Sequence, residues 1–297
     1  MNVLNKVIYY ILIVPISILP IWFLHGISSF MYVVIYFVFG YRKKVIRGNL
    51  ERSFPKFSNK QIRKIERQFY QHFCDIIIES LKNFSISKKS TKKRFVIENP
   101  EVVDRFAKEG RDVIIAGGHY NAWELFALAM PLYHQHQGVG IYKPLSNQFF
   151  DMKLRLSREQ FGLKLISMKE SARYFANPDE SNRRAFILGG DQSPSNPKNA
   201  YWMNFLNQDT GVLFGTEKYA KEHNLPVIFG MASKVKRGHY SLTYKVLFEN
   251  PQEAPYGKIT EAHTQALEKQ IVENPQYWLW SHRRWKHKRP SDLKQYE

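Results

Sequence analysis

Residues 112–124 read Asp112-Val-Ile-Ile-Ala-Gly-Gly-His119-Tyr-Asn-Ala-Trp-Glu124. The apolar run at 113–116 has no polar interruption, as expected for a strand buried on both faces. The two glycines after it allow a tight turn, and Asn121 is a favourable N-cap for the apolar helix that follows. His119 therefore lies where a strand passes into a helix, the position at which open α/β sheets place their chemistry.

His119 and Glu124 form a candidate catalytic pair. On one continuous helix this spacing would turn their side chains about 140° apart. They can meet only if His119 lies in the loop and Glu124 on the first helical turn. The two glycines before His119 and the expected N-cap at Asn121 favour this arrangement. A carboxylate bound to one imidazole nitrogen fixes the tautomer and leaves the other nitrogen free as a general base. The alternative is structural: a loop histidine, and a glutamate that complements the helix dipole.

No nucleophile accompanies this pair in a recognisable motif, because the sequence lacks a Gly-x-Ser-x-Gly elbow. The base would therefore act on a hydroxyl of the substrate. His134 and His136 could ligate a metal, but no third ligand has suitable spacing, and His-x4-Glu is not the zinc-protease pattern. There is also no P-loop and no dinucleotide fingerprint, so we predict neither a metal nor a cofactor.

A second apolar run ends in the same way as the first. Residues 183–188 read as a strand and lead into Gly189-Gly190-Asp191-Gln192, again two glycines and a polar pair. Such strand ends line one cleft in a parallel sheet, so Asp191 and Gln192 are expected to share the cleft of His119. The alternative is that they only begin a turn into the Ser-Pro-Ser-Asn-Pro segment.

Strand-like and helix-like segments alternate from residue 95 to residue 275. This alternation predicts an α/β fold with a mixed, mainly parallel sheet flanked by helices. After a short first strand at Phe95, the predicted strands are 113–116, 138–143, 163–168, 183–188, 226–231 and an edge strand at 240–248. The predicted helices are 101–108, 148–161, 169–176, 214–222 and 259–273.

Residues 7–41 contain no Asp, Glu, Lys or Arg, and a bilayer crossing takes about 20 apolar residues. Pro15 and Pro20 also permit two shorter helices in a membrane-embedded hairpin. The length of the apolar run disfavours both a cleaved signal peptide and a buried helix of a soluble protein. We predict a membrane anchor at 1–41 and a cytoplasmic domain at 42–297. The orientation follows from the cations after the run: Arg42, Lys43, Lys44 and Arg47.

The formal net charge is +18, and residues 42–94 alone contain 16 Lys or Arg against 4 acidic residues. This charge would suit nucleic acid, anionic lipid or an acidic protein. A basic, amphipathic helix is predicted at 62–84 with Ser58 as its N-cap, and its place directly after an apolar anchor favours anionic lipid over a merely solvated face. No nucleic-acid-binding module is recognisable. The single Cys74 excludes an internal disulfide and fits a reducing compartment.

In their order, these segments resemble the bacterial lipid A biosynthesis acyltransferases of the lysophospholipid acyltransferase superfamily. The resemblance spans nearly the whole chain. It is carried by the N-terminal apolar segment and by a series of motifs: Gly-His119-x4-Glu124, Tyr142-Lys143-Pro144 with Asn147, Arg158-x3-Gly162, Asp191-Gln192 and Trp278-x-Trp280-x-His282-x-Arg284-Trp285.

The resemblance implies a membrane-associated O-acyltransferase whose α/β domain lies on the cytoplasmic face of the inner membrane. It implies an acyl carrier protein as thioester donor, a hydroxyl of a phosphorylated lipid A precursor as acceptor, and no covalent acyl-enzyme. By this resemblance His119 would be the general base and Glu124 its orienting carboxylate. The substrate-binding residues would be Lys143, Asn147, Arg158, Asp191, Gln192 and Arg284.

Lys143 departs from the family pattern, which usually has Tyr-Arg-Pro at this point. A lysine still supplies a cation for an oxyanion or a phosphate, but it lacks the bidentate fork of arginine. A different acceptor, such as an aminolipid, a glycolipid or a pigment ester, is therefore one alternative. The other is a non-catalytic basic protein that binds a membrane surface or nucleic acid.

Overall fold

The structure is a computed structural model that describes residues 3–177 and 181–291. The α-helices are α1 Val3–Val7, α2 Val14–Ile18, α3 Ile21–Val33, α4 Lys43–Ser53, α5 Asn59–Lys82, α6 Lys88–Arg94, α7 Glu101–Lys108, α8 Trp123–Ala129, α9 Gln148–Glu159, α10 Ser171–Ala176, α11 Gly215–His223 and α12 Lys258–Glu273. The strands are β1 Phe95–Ile97, β2 Val113–Gly117, β3 Gln137–Tyr142, β4 Lys164–Ser167, β5 Arg184–Gly189, β6 Ala200–Phe205, β7 Gln208–Leu213, β8 Val227–Lys236 and β9 His239–Phe248.

Seven strands form one sheet in the order β1-β9-β8-β2-β5-β3-β4. All neighbours run parallel except β8 and β9, which are antiparallel. The predicted α/β class and the mixed, mainly parallel sheet are therefore confirmed. The predicted edge strand is not at the edge, because β1 pairs with β9 on its outer side.

The sheet is covered on both faces, which accounts for the uninterrupted apolar run of β2. Ile114 and Ala116 join a core that includes side chains of α5, α11 and α12. Ile115, between them in sequence, points the other way into a core with α7 and α8. Successive strand residues face opposite sides, so a strand between two helical layers must be apolar at every position.

Two local features differ from the prediction. Asn121 does not cap α8: it has a left-handed backbone (φ 55°) and donates its side-chain amide to the Ala232 carbonyl at 3.0 Å, while Ala122 is the N-cap. The β6–β7 hairpin was not predicted from the sequence. Its two-residue turn, Leu206-Asn207, has positive φ at both positions but lacks the glycine that usually identifies such a turn.

Two apolar helical segments precede the sheet. Residues 3–18 and 21–39 are each continuous, through π-helical turns at Ile8–Ile13 and Val34–Phe39, and Leu19 and Pro20 separate them. Among the described residues, only 21–39 is long and apolar enough to cross a membrane, judged by length and composition. Large apolar side chains such as Trp22 and Phe30 are exposed on it.

Both N-terminal segments pack on the rest of the chain. The second is joined to α5, where His25 Nε2 lies 2.9 Å from Glu79 Oε1 and the Ser28 hydroxyl donates to Asp75. The first lies against α9, with the rings of Tyr9 and Phe149 5.8 Å apart. Residues 3–39 therefore do not form an isolated stalk, and the role of residues 1–41 as a membrane anchor remains a prediction.

Candidate active site

The register of β2 and β5 brings the two polar strand ends together. Gly117 lies opposite Gly189 in this parallel pair, so the residues two positions beyond them, His119 and Asp191, leave the sheet side by side. His119 Nδ1 lies 2.7 Å from Asp191 Oδ1, and the backbone N–H of His119 donates to Asp191 Oδ2 at 2.8 Å. The sequence repeat of Gly-Gly and a polar residue thus becomes a hydrogen-bonded pair.

Asp191 is buried and fully engaged. Its Oδ2 also accepts the indole N–H of Trp278 at 2.8 Å. Burial alone would raise the pKa of this carboxyl, but the imidazole of His119 and the hydrogen bonds from His119 and Trp278 lower it to about 2. Asp191 is therefore a carboxylate at neutral pH and can hold a proton on Nδ1 of His119.

His119 presents its second ring nitrogen on the other side. Because Nδ1 donates to Asp191, Nε2 is an acceptor, and the side-chain amide of Gln192 approaches it at 3.1 Å. Burial would lower the pKa of His119, but the charge and hydrogen bond of Asp191 outweigh burial and raise it. This is the arrangement of a general base with an orienting carboxylate.

Glu124 does not hydrogen-bond to His119, so the predicted contact between the two side chains is wrong. α8 begins at Trp123, so Glu124 projects from the first turn toward α9. There Arg158 binds it in bidentate fashion, with Nε to Oε2 at 2.8 Å and Nη2 to Oε1 at 2.6 Å. Glu124 still lies close enough to favour the protonated form of His119 through its charge.

A cavity of about 620 Å³ opens in front of His119, within the range of about 300–1,000 Å³ for small-molecule sites. Its lining includes five of the predicted site residues: His119, Glu124, Lys143, Arg158 and Gln192. Deeper walls are apolar and come from both faces of the sheet, such as Ile187 and Leu188 of β5. A cation-rimmed, apolar cavity suits a substrate with a polar head and a hydrocarbon chain.

Three predicted substrate-binding residues do not line the cavity: Asp191, which is bonded to His119, and Asn147 and Arg284. Asn147 caps α9, where its side-chain oxygen accepts the N–H groups of Phe149 and Phe150 at 3.2 and 3.3 Å. Arg284 is buried near Asp191, away from the residues that line the cavity. Burial lowers the pKa of Arg284 to about 10, against the opposing charge of Asp191.

Trp278 is the residue that sequence reasoning placed in the family motif but not in the site. It is buried, and its neighbour His282 accepts the backbone N–H of Ser193 at 3.0 Å, which fixes the loop after Gln192. The spacing of the aromatic residues in the C-terminal segment marked Trp278 as part of a motif. That spacing does not indicate which polar group the indole contacts.

Gly118 leaves no room for a side chain beside the pair. A Cβ there would lie 2.6 Å from Leu267 Cδ2 and 3.0 Å from Asp191 Oδ2. We expect Gly118→Ala to displace Asp191 and to lower kcat by about 10²-fold, the usual cost of a displacement of about 1 Å in a catalytic group. Gly26→Ala, where a Cβ meets nothing within 4 Å, is the control. Equal kcat for both variants in a steady-state assay would contradict the tight fit.

An α/β sheet that carries a histidine–carboxylate pair at its strand ends, beside a cavity, is the framework of an enzyme that uses a general base. Residues 2–287 match the family described as bacterial lipid A biosynthesis acyltransferase, and the chain belongs to this family. The lipid A biosynthesis palmitoleoyltransferase of Escherichia coli (strain K12) is 21% identical to it over 259 residues, which cover 82% of this chain and 79% of the relative. A lipid A biosynthesis acyltransferase of Shigella flexneri has the same identity and coverage. The protein is an acyltransferase enzyme.

Proposed function

We propose that this acyltransferase moves a fatty acyl chain from an acyl carrier protein thioester to a hydroxyl of a lipid A precursor. The observation that carries the proposal is the His119–Asp191 pair, with Nε2 of His119 at the cavity. The exposed cations Lys143 and Arg155 at the rim match the phosphates of such an acceptor and the acidic surface of acyl carrier proteins. This assignment replaces Glu124 by Asp191 as the carboxylate that orients the base.

The chemistry follows from the tautomer. Nε2 of His119 takes the proton of the acceptor hydroxyl, in the place now held by the Gln192 amide. The oxygen attacks the thioester carbonyl, the C–S bond breaks, and the thiolate leaves with the proton that His119 returns. No Ser, Thr or Cys side chain hydrogen-bonds to His119 among residues 3–177 and 181–291, which supports a transfer without an acyl-enzyme.

Asp191 stabilises the imidazolium that forms during this step. The cations near the cavity, Lys143 and Arg158, are candidates to stabilise the developing oxyanion, and the Lys143 ammonium does so as a point charge. Arg158 is already committed to Glu124, whereas Lys143 is exposed at the cavity rim. Lys143 is therefore the more available of the two.

Localisation is part of the proposal. The exposed apolar surface of residues 3–39 suits insertion into a bilayer, and Arg42, Lys43, Lys44 and Arg47 directly follow it. We propose that the catalytic domain lies on the cytoplasmic face of the inner membrane, where the positive-inside rule puts these cations. Acyl carrier protein would then reach the cavity from the cytoplasm.

The test is mass spectrometry of total lipids from cells that express the wild-type chain or His119→Ala. We expect one lipid A species to lose one acyl chain in the variant. A change confined to another lipid would keep the enzyme and replace the acceptor, as the Lys143 departure allows. If no lipid differs between wild type and variant, at equal protein levels in the membrane fraction, the proposed function is wrong.

A further inference from the structure

A second cavity of about 410 Å³ lies between α3, α5 and the turn that joins β8 to β9. It is separate from the catalytic cavity, since the two share no lining residue. Its volume is also in the range of small-molecule sites, about 300–1,000 Å³. Its wall is polar and includes three side-chain amides, those of Gln68, Gln71 and Gln276.

The charges in this wall do not balance. Lys234 and Arg237 are its two cations, and Asp75 is its one carboxylate. Arg237 Nη2 lies 2.6 Å from Asp75 Oδ1, and Lys234 Nζ lies 3.5 Å from Asp75 Oδ2. One positive charge therefore remains uncompensated within the cavity wall. This excess favours an anionic occupant.

His72 adds a buried donor without an acceptor. Lys234 Nζ lies 3.2 Å from His72 Nδ1, and because an ammonium group can only donate, Nδ1 accepts and the ring proton is on Nε2. Burial and the Lys234 charge lower the pKa of His72 to about 3, so the ring is neutral. Nε2 is buried and has no hydrogen-bond partner among the described residues. Such orphaned donors are rare in native proteins and call for an acceptor.

The surroundings are amphiphilic. α3 contributes Ser28, Ser29 and Tyr32 to the polar cavity, while Phe30 and Val33 of the same helix are exposed, Phe30 to 71%. A polar cavity beside an exposed apolar helix face matches a molecule with a polar head and hydrocarbon chains. A small soluble anion would use only the first of these features.

We propose that this cavity binds the phosphate group of a membrane phospholipid, at a site distinct from the one that performs acyl transfer. The phosphate oxygens accept from Lys234 and Arg237, and the acyl chains lie along the exposed face of α3. Charge-assisted hydrogen bonds to phosphate are the strong class of such contacts. The inference does not depend on the acyl donor or acceptor, because none of its residues lines the catalytic cavity.

The experiment measures binding of dihexanoyl phosphatidylglycerol to the full chain in a neutral detergent by calorimetry. Dihexanoylglycerol, which lacks the phosphate, and inorganic phosphate are the comparison probes. Lys234→Gln removes the partly buried cation. Gln71→Glu adds a neutralising carboxylate at an exposed position that keeps the core intact. Lys236→Gln, an exposed cation of the same strand outside the cavity, is the matched control.

We expect Lys234→Gln and Gln71→Glu each to weaken binding of the phosphatidylglycerol probe about tenfold, as loss of one charge-assisted contact does. Lys236→Gln should leave the affinity for the phosphatidylglycerol probe unchanged. The wild-type chain should bind dihexanoylglycerol no more tightly than the Gln71→Glu variant binds the phosphatidylglycerol probe. Equal affinity of all variants for the probe would overturn the site. Inorganic phosphate that binds as tightly as the lipid would overturn the assignment to a phospholipid.

Discussion

Asp191→Asn is expected to lower kcat by about 10²–10⁴-fold with little effect on KM. Asp191 accepts the Nδ1 proton of His119, and an amide can offer an N–H group in the same place. His119 would then carry its proton on Nε2, the nitrogen that must accept the proton of the substrate hydroxyl. The loss should approach that of His119→Ala. Steady-state acyl transfer at saturating substrate, with the purified chain, measures it.

The pH profile provides an independent measurement of the same pair. His119 must be neutral to act as a base, so kcat rises with pH through its pKa, which Asp191 raises above the ordinary 6.5. The midpoint of this rise, the acidic limb of the pH profile, should therefore lie above pH 6.5 in the wild type. It should move to lower pH in Asp191→Asn. Glu124→Gln removes a neighbouring carboxylate but leaves the His119–Asp191 bond. If Glu124→Gln costs more activity than Asp191→Asn, our choice of orienting carboxylate is wrong.

Arg158→Met is expected to lower kcat/KM by about 10²-fold, through loss of the clamp between α8 and α9. The bidentate pair joins the helix that follows His119 to the helix that walls the cavity. Arg158 lowers the pKa of His119 and Glu124 raises it, so Arg158→Met moves the acidic limb upward, opposite to the shift in Asp191→Asn. The limb position is measured in the same assay.

Two variants sharpen that measurement. Arg158→Met with Glu124→Gln removes the unpaired carboxylate as well, and should return the acidic limb toward the wild-type position. Lys108→Met is the control, since Lys108 is an exposed cation that does not line the cavity. A double variant with the same limb as Arg158→Met would show that the charge of Glu124 does not act on His119.

The order of strands and helices was predictable because both faces of the sheet are covered. That covering makes β2 and β5 continuous apolar runs, and their double glycines mark where each strand ends. The proximity of Asp191 to His119 followed from the repeat of this pattern. The position of β9 inside the sheet was not predictable, since β1 is only three residues long and pairs at long range.

The choice between two carboxylates near one histidine was beyond the sequence. Glu124 is close in the chain, but the direction of its side chain depends on the residue at which α8 begins and on the position of Arg158 in a helix that follows β3. Asp191 is 72 residues from His119 and reaches it through sheet register alone. Sequence proximity favoured Glu124, whereas strand pairing brought Asp191 to the imidazole.

The packing of residues 3–18 on α9 gives the N-terminal segment a second function. α9 carries Arg158, and its other side meets Tyr9, while Lys153 of α9 also donates to the hydroxyl of Tyr10. A simple linker could be replaced by another linker, but this segment packs against a helix that lines the candidate active site. The chain therefore cannot be divided into an enzyme and a removable N-terminal segment, because residues 3–18 support the helix that holds Arg158 against Glu124.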